Sequence, residues 1–375
     1  MRVLMVSKAC VVGTYQKKLE ELARLPEMEL TVVVPPYWRD ERGIIELERQ
    51  HTIGYELVVE PLVFNGSFHL HFYPGLSKQM RRAQPDLVHI DEEPYNLATA
   101  HALYLARRFG AKSLFFSWQN LLRRYPLPFR LLERYVLSRA EYCIAGSQES
   151  ARVWRAKGYT GLIAVIPQFG VDPESFSPSA RPGRERWAER PSGRDLVIGY
   201  VGRLVEEKGV DLLLEALAGL EGPWRAYVLG SGPAREALQV QAQQLGLADR
   251  VLFDTQIPSV QMPAHYRQLD VLVVPSRTRP NWKEQFGRVL VEAMACGVPV
   301  IGSDSGEIPQ VLGDAGLIFP EGEADVLRAR LAQLLGDPDL RANLARRGHE
   351  RVLARYTQAQ IAIETYKVYR AMLAA

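Results

Sequence analysis

Short runs of β-branched and apolar residues alternate with longer stretches of helical periodicity along the whole chain of 375 residues. This alternation is typical of α/β proteins, in which helices cover both faces of a parallel sheet. Each half of the chain therefore predicts its own doubly wound sheet. The predicted strands are residues 3–6, 30–34, 57–59, 87–90, 113–116, 142–145 and 163–166 in the first half, and 196–201, 225–229, 251–253, 271–274, 298–301 and 317–319 in the second.

A change of composition separates the two halves. Proline, glycine, serine and charged residues replace the apolar periodicity from Pro167 to Asp195, as in an interdomain linker. We therefore expect an N-terminal domain over residues 1–170, a linker over 171–195, a C-terminal domain over 196–355 and a last helix over 356–375. Ligands of open α/β sheets lie beyond the carboxyl ends of the strands, so the two domains are expected to face each other across a ligand-binding cleft.

Composition and charge exclude several classes of protein. Apolar residues at 47% and charged residues at 24% exclude a disordered or collagen-like chain. Lys and Arg number 46 against 43 Asp and Glu, and the net charge of +3 gives no reason to expect a nucleic-acid partner. The three cysteines are widely separated, which argues against a disulfide framework or a cysteine-based zinc site. No apolar stretch approaches the roughly 18 residues of a membrane span, so we expect a cytoplasmic protein.

Two glycine-containing turns each follow a predicted strand of the second half. The first runs from Gly202 to Gly209, contains Arg203 and Lys208, and leads into a helix. Two cations beside a helix N-terminus favour an anionic ligand, and a solvated pair of loop side chains is the alternative. The second turn begins at Gly230 and lacks the third glycine of a dinucleotide fingerprint, so it predicts either a phosphate contact or simply a tight turn.

The segment EQFGRVLVEAMACGVPVI, residues 284–301, predicts a helix followed by a strand. Glu284 and Glu292 fall outside its apolar stripe, so packing does not require either carboxylate. On one regular helix they would lie about 12 Å apart, beyond the roughly 5 to 9.5 Å between the two carboxylates of a glycosidase. If Glu284 instead precedes the helix, it lies beside the amides at the helix N-terminus, where a polyol or a phosphate could bind. The alternative is that Glu284 only complements the helix dipole and Glu292 is solvated.

Five motifs occur in a fixed order: GRLVEEKGVDLLLEA, VLGSGP, DVLVVPS, EQFGRVLVEAMACGVPVI and SGEIPQVLGDAGLIF. This series resembles the retaining glycosyltransferases of family four, which have the GT-B fold of two Rossmann-like domains. The resemblance is dense over residues 197–320 and weaker elsewhere. It implies transfer of a sugar from a nucleotide-diphosphate sugar to a saccharide or lipid-linked acceptor, with retention and without a metal or other cofactor. A GT-B nucleotide-sugar epimerase and a non-catalytic nucleotide-sugar-binding protein are the alternatives.

The resemblance also implies roles for individual residues. Arg203 and Lys208 are expected to hold the donor diphosphate in place of a divalent metal, and Glu284 is expected to bind the transferred sugar, which makes these three the predicted catalytic residues. Glu292 is expected to bind the ribose hydroxyls. Further donor contacts are expected from a set of loop residues: Gly13, Gly202, Gly230, Gln285, Phe286, Gly287 and Arg288. In the family the last helix crosses back onto the first domain.

The first half matches the family less well. Where the family commonly has a histidine, this chain has FFSWQN, and Gln310 of the second half stands where the family usually has a glutamate. Candidates for the acceptor side lie at the ends of two predicted strands, with capping of those strand ends as the alternative. These candidates are His89, Asp91, Glu92, Trp118 and Gln119.

A basic region extends over residues 107–157, which contain eleven basic and three acidic side chains. Within it, LLRRYPLPFRLLERYVLSR (residues 121–139) interleaves arginine with leucine, phenylalanine and tyrosine. This pattern is typical of a segment that lies at a membrane surface. It predicts peripheral contact with the anionic inner face of a membrane, and a solvated helical face over core residues is the alternative.

Overall fold

A computed structural model of the chain describes residues 1–40, 43–178, 195–255 and 257–374. The chain forms two units: an N-terminal unit of Met1–Gly170 with Gln358–Ala375, and a C-terminal unit of Val171–Thr357. Of the linker expected over residues 171–195, the part from 179 to 194 lies outside the described residues.

Parallel strands build the sheet of the N-terminal unit. The strands of this unit are β1 (Arg2–Val6), β2 (Glu29–Val34), β3 (Tyr37–Asp40), β4 (Gly43–Glu46), β5 (Glu56–Val59), β6 (Leu87–Ile90), β7 (Lys112–Ser117), β8 (Tyr142–Ala145) and β9 (Leu162–Val165). The sheet has seven strands, all parallel, in the order β5-β2-β1-β6-β7-β8-β9. Strands β3 and β4 form a separate antiparallel hairpin, which the sequence pattern did not predict.

Helices cover both faces of this sheet. Leu4 and Val6 of β1 belong to one buried apolar cluster, and Val3 and Met5 belong to another. A strand buried on both faces has a continuous apolar sequence, which is why β1 lacks the alternation of a half-exposed strand. The first five helices are α1 (Lys17–Ala23), α2 (Leu76–Ala83), α3 (Leu97–Arg108), α4 (Phe129–Leu137) and α5 (Gln148–Ala156).

The C-terminal unit has the same architecture, with a six-stranded parallel sheet. Its strands are β10 (Leu196–Val201), β11 (Trp224–Leu229), β12 (Val251–Asp254), β13 (Val271–Val274), β14 (Val300–Ser303) and β15 (Leu317–Phe319). Their order is β12-β11-β10-β13-β14-β15. Its helices are α6 (Val210–Ala218), α7 (Arg235–Gln244), α8 (Met262–Tyr266), α9 (Arg288–Ala295), α10 (Ile308–Leu312), α11 (Ala324–Gly336) and α12 (Pro338–Arg355).

The predicted strands of both halves are observed, most of them within one residue of their expected ends. The strand expected over residues 298–301 is the exception, because it begins at Val300. Pro299 has no N–H to donate to a sheet, although its carbonyl oxygen still accepts a hydrogen bond of 2.9 Å from the Leu272 amide. The two Rossmann-like sheets confirm the predicted α/β class.

Each sheet has one place where the strand order reverses. From β1 the chain builds outward through β2 and β5 and then returns to the other side of β1 with β6. In the second sheet the same reversal lies between β10 and β13. The loops that leave the two strands diverge there, and ligands of open α/β sheets bind in the resulting crevice. The residues that follow β1, β6, β10 and β13 are therefore the ones that the fold places in position for binding.

Buried polar contacts join the ends of β1 and β6. The Ser7 hydroxyl donates a 2.6 Å hydrogen bond to Asp91, and Lys8 forms an ion pair with Glu92. Burial opposes ionisation of Glu92, but the charges of Lys8 and His71 outweigh burial and hold the pKa of Glu92 at about 2. Burial raises the pKa of the neighbouring Glu93 to about 7, against hydrogen bonds from Ser117 and Trp118.

The last helix, α13 (Gln358–Ala374), belongs to the N-terminal unit and packs against α1. Its apolar face joins the cluster that contains Leu19 and Leu22 of α1. Ile361 on this face is 1% exposed, whereas Ile363 two residues later is 37% exposed. None of the described helices is both long and apolar enough to cross a membrane.

Ile361→Ala is expected to lower the free energy of unfolding by about 2 to 5 kcal/mol, because it removes buried methyl groups and leaves a cavity under α13. Ile363→Ala changes the same residue type on the exposed side of the same helix and should cost less than about 1 kcal/mol. Denaturant titration of both variants measures the difference. Equal losses in the two variants would contradict the packing of α13 on this unit.

Glu92→Gln and Glu93→Gln are expected to change the pH dependence of stability in opposite directions. Since the pKa of Glu92 lies at about 2, below the ordinary 4.5, the wild type loses the stabilisation from this carboxylate as the pH falls from 4.5 towards 2. Since the pKa of Glu93 lies at about 7, the wild type loses stability through this group as the pH rises from 4.5 to 7.

The measurement is the free energy of unfolding of each variant subtracted from that of the wild type, at a series of pH values. The difference for Glu92→Gln should shrink as the pH falls below 4.5, and the difference for Glu93→Gln should shrink as the pH rises towards 7. Parallel curves for the wild type and Glu92→Gln would contradict the ion pair with Lys8.

Candidate active site

A cation and a carboxylate meet where the strand order of the C-terminal sheet reverses. Lys208 follows β10 in a short 3-10 turn, Glu206–Lys208, and its Nζ lies 2.6 Å from Oε2 of Glu284. The hydroxyl of Ser276, just after β13, donates a 2.9 Å hydrogen bond to the same oxygen. Glu284 is 7% exposed, so this carboxylate is held between two donors from the two strands at the reversal.

Glu284 lies in the loop before α9, which is the second of the two arrangements considered from the sequence. Helix α9 begins only at Arg288, because Gly287 before it has a φ of +72°, a left-handed conformation that glycine adopts without strain. The Glu284 carbonyl accepts a 3.1 Å hydrogen bond from the Glu307 amide, which fixes the loop. The two glutamates therefore do not share one regular helix.

Glu292 lies on α9 and is 5% exposed. The Tyr266 hydroxyl donates to its Oε2 at 2.8 Å, and Arg288 donates to its Oε1 at 2.7 Å. Burial and the negative charge of Glu292 together raise the pKa of Tyr266 well above its ordinary value, so the hydroxyl keeps its proton and donates. The alternative that Glu292 is a solvated surface residue is wrong, because α8 places Tyr266 against it.

The two glycine turns touch each other. A Cβ atom on Gly230 would lie 1.8 Å from the carbonyl oxygen of Gly202, so only glycine permits this approach. The contact brings the loop after β11 against the loop that carries Arg203. The Arg203 side chain is 66% exposed and lies 3.8 Å from the carboxylate of Glu207, so a surface ion pair of little energetic weight is its main constraint.

Gln285 and Phe286 separate Glu284 from Gly287 and differ in burial. Gln285 is exposed, whereas Phe286 is 7% exposed and packs edge-on against Tyr356 with ring centroids 5.7 Å apart. Phe286 therefore anchors the loop through its side chain. Its backbone, like that of Gly287, leads into the N-terminus of α9, where amides lack partners within the helix.

In the N-terminal unit, two of the candidates, Trp118 and Asp91, are joined by hydrogen bonds through a residue that the sequence did not indicate. The Trp118 indole donates to Gln168 at 2.8 Å, and the Gln168 amide donates to Asp91 at 3.0 Å. The Gln119 side chain instead donates to the Leu121 carbonyl at 2.6 Å. Glu92, adjacent to Asp91, is fully enclosed in its ion pair with Lys8.

Two candidates occupy different surroundings from those expected. His89 points into the core, where its Nδ1 lies 2.6 Å from the hydroxyl of Tyr369, and burial lowers the pKa of His89 well below its ordinary value. It therefore packs as a neutral ring beneath α13. The Gly13 amide already donates to Glu48 at 2.6 Å, so a phosphate at this amide would have to displace that carboxylate.

Sequence reasoning missed three side chains of the C-terminal site. Ser276 lies two residues after the end of β13, so the rule that ligands lie beyond strand ends indicates it in retrospect. Tyr266 and Trp282 carry no such signal, because a tertiary contact alone brings them to Glu292 and Lys208. Among the described residues, no group of three or more His, Cys, Asp or Glu side chains is arranged to hold a metal ion. The lysine beside a buried carboxylate suits a ligand that carries an anionic group next to several hydroxyl groups.

Comparison with known families assigns both halves of the chain. The model for "glycosyl transferases group 1" matches residues 183–351, and the model for "glycosyltransferase family 4" matches residues 19–175. Together the two models account for most of the chain, one on each side of residue 180.

Curated relatives and solved structures agree with this assignment. The chain is 33% identical over 330 residues to the GDP-mannose-dependent alpha-(1-6)-phosphatidylinositol monomannoside mannosyltransferase of Mycolicibacterium smegmatis, covering 83% of this chain and 82% of the relative. It is 29% identical over 351 residues to a D-inositol 3-phosphate glycosyltransferase of Corynebacterium urealyticum, covering 88% of this chain and 74% of that one.

The fold matches that of sucrose-phosphate synthase from Thermosynechococcus elongatus with a TM-score of 0.74 and 22% identity, covering 99% of both chains. It matches Anabaena HepE in complex with UDP with a TM-score of 0.74 and 20% identity, covering 99% of this chain and 100% of that one. These structural matches confirm the GT-B fold. The family models and the mannosyltransferase relative confirm the resemblance found in the sequence motifs. The chain belongs to the group 1 glycosyl transferases of glycosyltransferase family 4.

Proposed function

We propose that this glycosyltransferase moves a sugar from a nucleoside diphosphate to a saccharide or lipid-linked acceptor, with retention of anomeric configuration and without a metal ion or other cofactor. The C-terminal unit binds the donor and the N-terminal unit binds the acceptor. The observation that carries the proposal is the contact of Lys208, Ser276 and Glu284 where the C-terminal strand order reverses. It sets a cation suited to a diphosphate beside a carboxylate suited to sugar hydroxyls.

Lys208 and Arg203 stabilise the departing nucleoside diphosphate. Negative charge develops on the leaving oxygen as the glycosidic bond breaks, and a cation about 4 Å away interacts with it by roughly 4 kcal/mol at an effective dielectric constant of 20. The Lys208 side chain is only 19% exposed, so its charge is partly desolvated. Arg203 is free to turn from Glu207 and bind phosphate oxygens with two parallel hydrogen bonds.

The two glutamates orient the donor. Glu284 accepts hydrogen bonds from hydroxyls of the transferred sugar, and Glu292 accepts them from the ribose. Charge-assisted hydrogen bonds of this kind discriminate between epimers, because a misplaced hydroxyl leaves a buried carboxylate unpaired. Tyr266 and Arg288 hold Glu292 in one rotamer, which supports this role.

Retention follows from attack by the acceptor on the face that the diphosphate leaves. Lys208 and Ser276 both donate to the same oxygen of Glu284. The two donors engage lone pairs of this one oxygen and stabilise the negative charge of the carboxylate, which weakens it as a nucleophile. This contact supports front-face attack over a covalent intermediate on Glu284. Proton NMR of the product reports its anomeric configuration.

The acceptor side is proposed from the N-terminal unit. Asp91, at the strand reversal of this sheet, is held by Ser7 and Gln168, and a carboxylate fixed in this way suits an acceptor hydroxyl. The names of the two curated relatives refer to a phosphatidylinositol mannoside and an inositol phosphate. Those names support an acceptor with several hydroxyl groups, either free or linked to a lipid.

Peripheral membrane contact is proposed for the segment that contains α4. Leu122, Leu127 and Leu131 are 65%, 59% and 56% exposed, and arginines lie between them in the sequence. Exposed leucines among arginines combine insertion at an interface with attraction to anionic headgroups, about 1 kcal/mol for each basic residue near the surface.

A nucleoside diphosphate is expected to raise the unfolding temperature of the protein in the presence of EDTA. A ligand at 100 times its dissociation constant stabilises the folded state by about 2.7 kcal/mol. Thermal unfolding with UDP, GDP and ADP, and with their sugars, measures this effect and identifies the base.

Lys208→Met and Arg203→Ala should abolish most of this rise in unfolding temperature, because each substitution removes a cation that binds the diphosphate. Lys367→Met is the matched control, since Lys367 forms a surface ion pair with Glu364 on α13 and should leave the rise unchanged. No rise with any nucleotide in a folded sample, or a rise that requires magnesium, would contradict the proposed donor site.

Vesicles of phosphatidylglycerol are expected to sediment the protein at low salt, and Leu131→Asp should reduce the bound fraction several-fold. Leu162→Asp changes an equally exposed leucine of the same unit, 62% exposed on β9, and serves as the control. Co-sedimentation with phosphatidylglycerol and with neutral phosphatidylcholine vesicles measures the effect. Equal binding to both lipids, or equal loss in both variants, would contradict the membrane contact.

A further inference from the structure

Trp282 lies against Lys208, the cation proposed to bind the donor diphosphate. Neither the sequence motifs nor the proposed roles include this tryptophan. The ring centroid of Trp282 is 4.8 Å from Nζ of Lys208. This distance is within the range in which an ammonium group is attracted to the face of an indole. Trp282 is partly buried, so part of its ring remains accessible beside the site.

A tight turn places the indole there. The Arg279 amide donates to the Trp282 carbonyl at 2.7 Å, and the Trp282 amide donates to the Arg279 carbonyl at 3.1 Å. These reciprocal bonds form a short antiparallel bridge with Pro280 and Asn281 at its tip. The position of Trp282 is therefore set by backbone hydrogen bonds and not by its side chain alone.

The same turn is tied to the loop that carries Lys208. Arg279 forms an ion pair with Glu206, and the Arg277 amide donates to the Glu207 carbonyl at 2.8 Å. Arg277 also forms a 2.7 Å ion pair with Asp211 at the start of α6. Three contacts thus fix the turn relative to the loop that carries Lys208. The position of the indole relative to the ammonium is therefore set by the backbone and by these contacts.

An aromatic ring offers this cation something that a second carboxylate could not. Glu284 already accepts one hydrogen bond from the Lys208 ammonium, and the ammonium has three N–H groups. The indole face attracts the charge without neutralising it and without occupying an N–H group in an ordinary hydrogen bond. The ammonium is held in place while its charge and its remaining donors stay available for phosphate oxygens.

The indole also matters when the donor binds. If sugar hydroxyls take up the lone pairs of Glu284, the salt bridge that positions Lys208 weakens. A long lysine side chain then recovers rotamer freedom, which opposes binding. A contact with Trp282 that does not involve the donor keeps the ammonium in position throughout.

We propose that Trp282 is a positioning residue for the donor diphosphate, which acts by holding the Lys208 ammonium against its indole face. This inference rests on the proposed donor site. Trp282 acts only through Lys208 and makes no hydrogen bond to the nucleotide itself. Its effect must therefore disappear when Lys208 is absent, and it must be specific for ligands that reach Lys208.

The test is a double-mutant cycle with Trp282→Leu, Lys208→Met and the double variant, measured by isothermal titration with UDP, GDP and ADP and with the matching monophosphates. Trp282→Leu should weaken binding of the preferred diphosphate about tenfold, which corresponds to about 1.4 kcal/mol. It should leave binding of the matching monophosphate within about twofold of wild type. In the Lys208→Met background the same substitution should have no further effect.

Trp282→Phe should retain diphosphate affinity within about threefold, because phenylalanine keeps an aromatic face for the ammonium. Unfolding without nucleotide is measured for every variant, and Trp282→Gln replaces Trp282→Leu if the latter does not fold. Additive losses in the cycle, equal loss of monophosphate affinity, or a phenylalanine variant as weak as the leucine variant would each overturn the proposal. A wild type that binds none of the three diphosphates would refute the donor site itself, which is a distinguishable outcome.

Discussion

The ion pair between Lys208 and Glu284 is the contact on which the rest of the candidate active site depends. Its two partners are 76 residues apart in sequence, and they meet only because β10 and β13 pair in parallel, with Ile198 opposite Val271. Bringing a lysine and a glutamate out of water is costly unless further contacts compensate. Ser276 and Trp282 supply those contacts, so the loops after both strands are committed to the arrangement before any ligand binds.

The N-terminal sheet uses the same geometry for a different purpose. Lys8 and Glu92 also pair across a strand reversal, between β1 and β6. The Glu92 side chain is fully enclosed, whereas 10% of the Glu284 side chain remains exposed. The pKa of Glu92 is held at about 2, so this pair contributes to stability near neutral pH.

Much of the fold was predictable, because strands buried on both faces have continuous apolar sequences. Such runs can be recognised without knowing the tertiary structure. The hairpin of β3 and β4 was not predicted, since its sequence, YWRD and GIIE, has neither the length nor the alternation of a typical strand. Strand β14 begins at Val300 and not at residue 298, because Pro299 has no N–H to donate to the sheet. Such details depend on single residues. Hydrophobic periodicity is read over a window of several residues and does not show the effect of one of them.

For the site, the ordered motifs indicated the correct family and drew attention to Arg203, Lys208, Glu284 and Glu292. They could not decide whether Glu284 precedes the helix, because that depends on the backbone conformation of Gly287. Helical periodicity left a solvated Glu292 open as the alternative, since a helical wheel records the angle of a residue but not the neighbour that covers it. Tyr266 comes from another helix and buries this carboxylate.

The amino-acid sequence by itself determined the α/β class, the two sheets, the family and the segments that hold the candidate donor residues. These properties are local, because each depends on spacing within one segment or on the order of segments. Only the tertiary structure decided which side chains meet: Lys208 with Glu284 and Trp282, Tyr266 with Glu292, and His89 with Tyr369 in the core. Those pairings depend on strand order and loop closure between residues far apart in the chain, which no local pattern records.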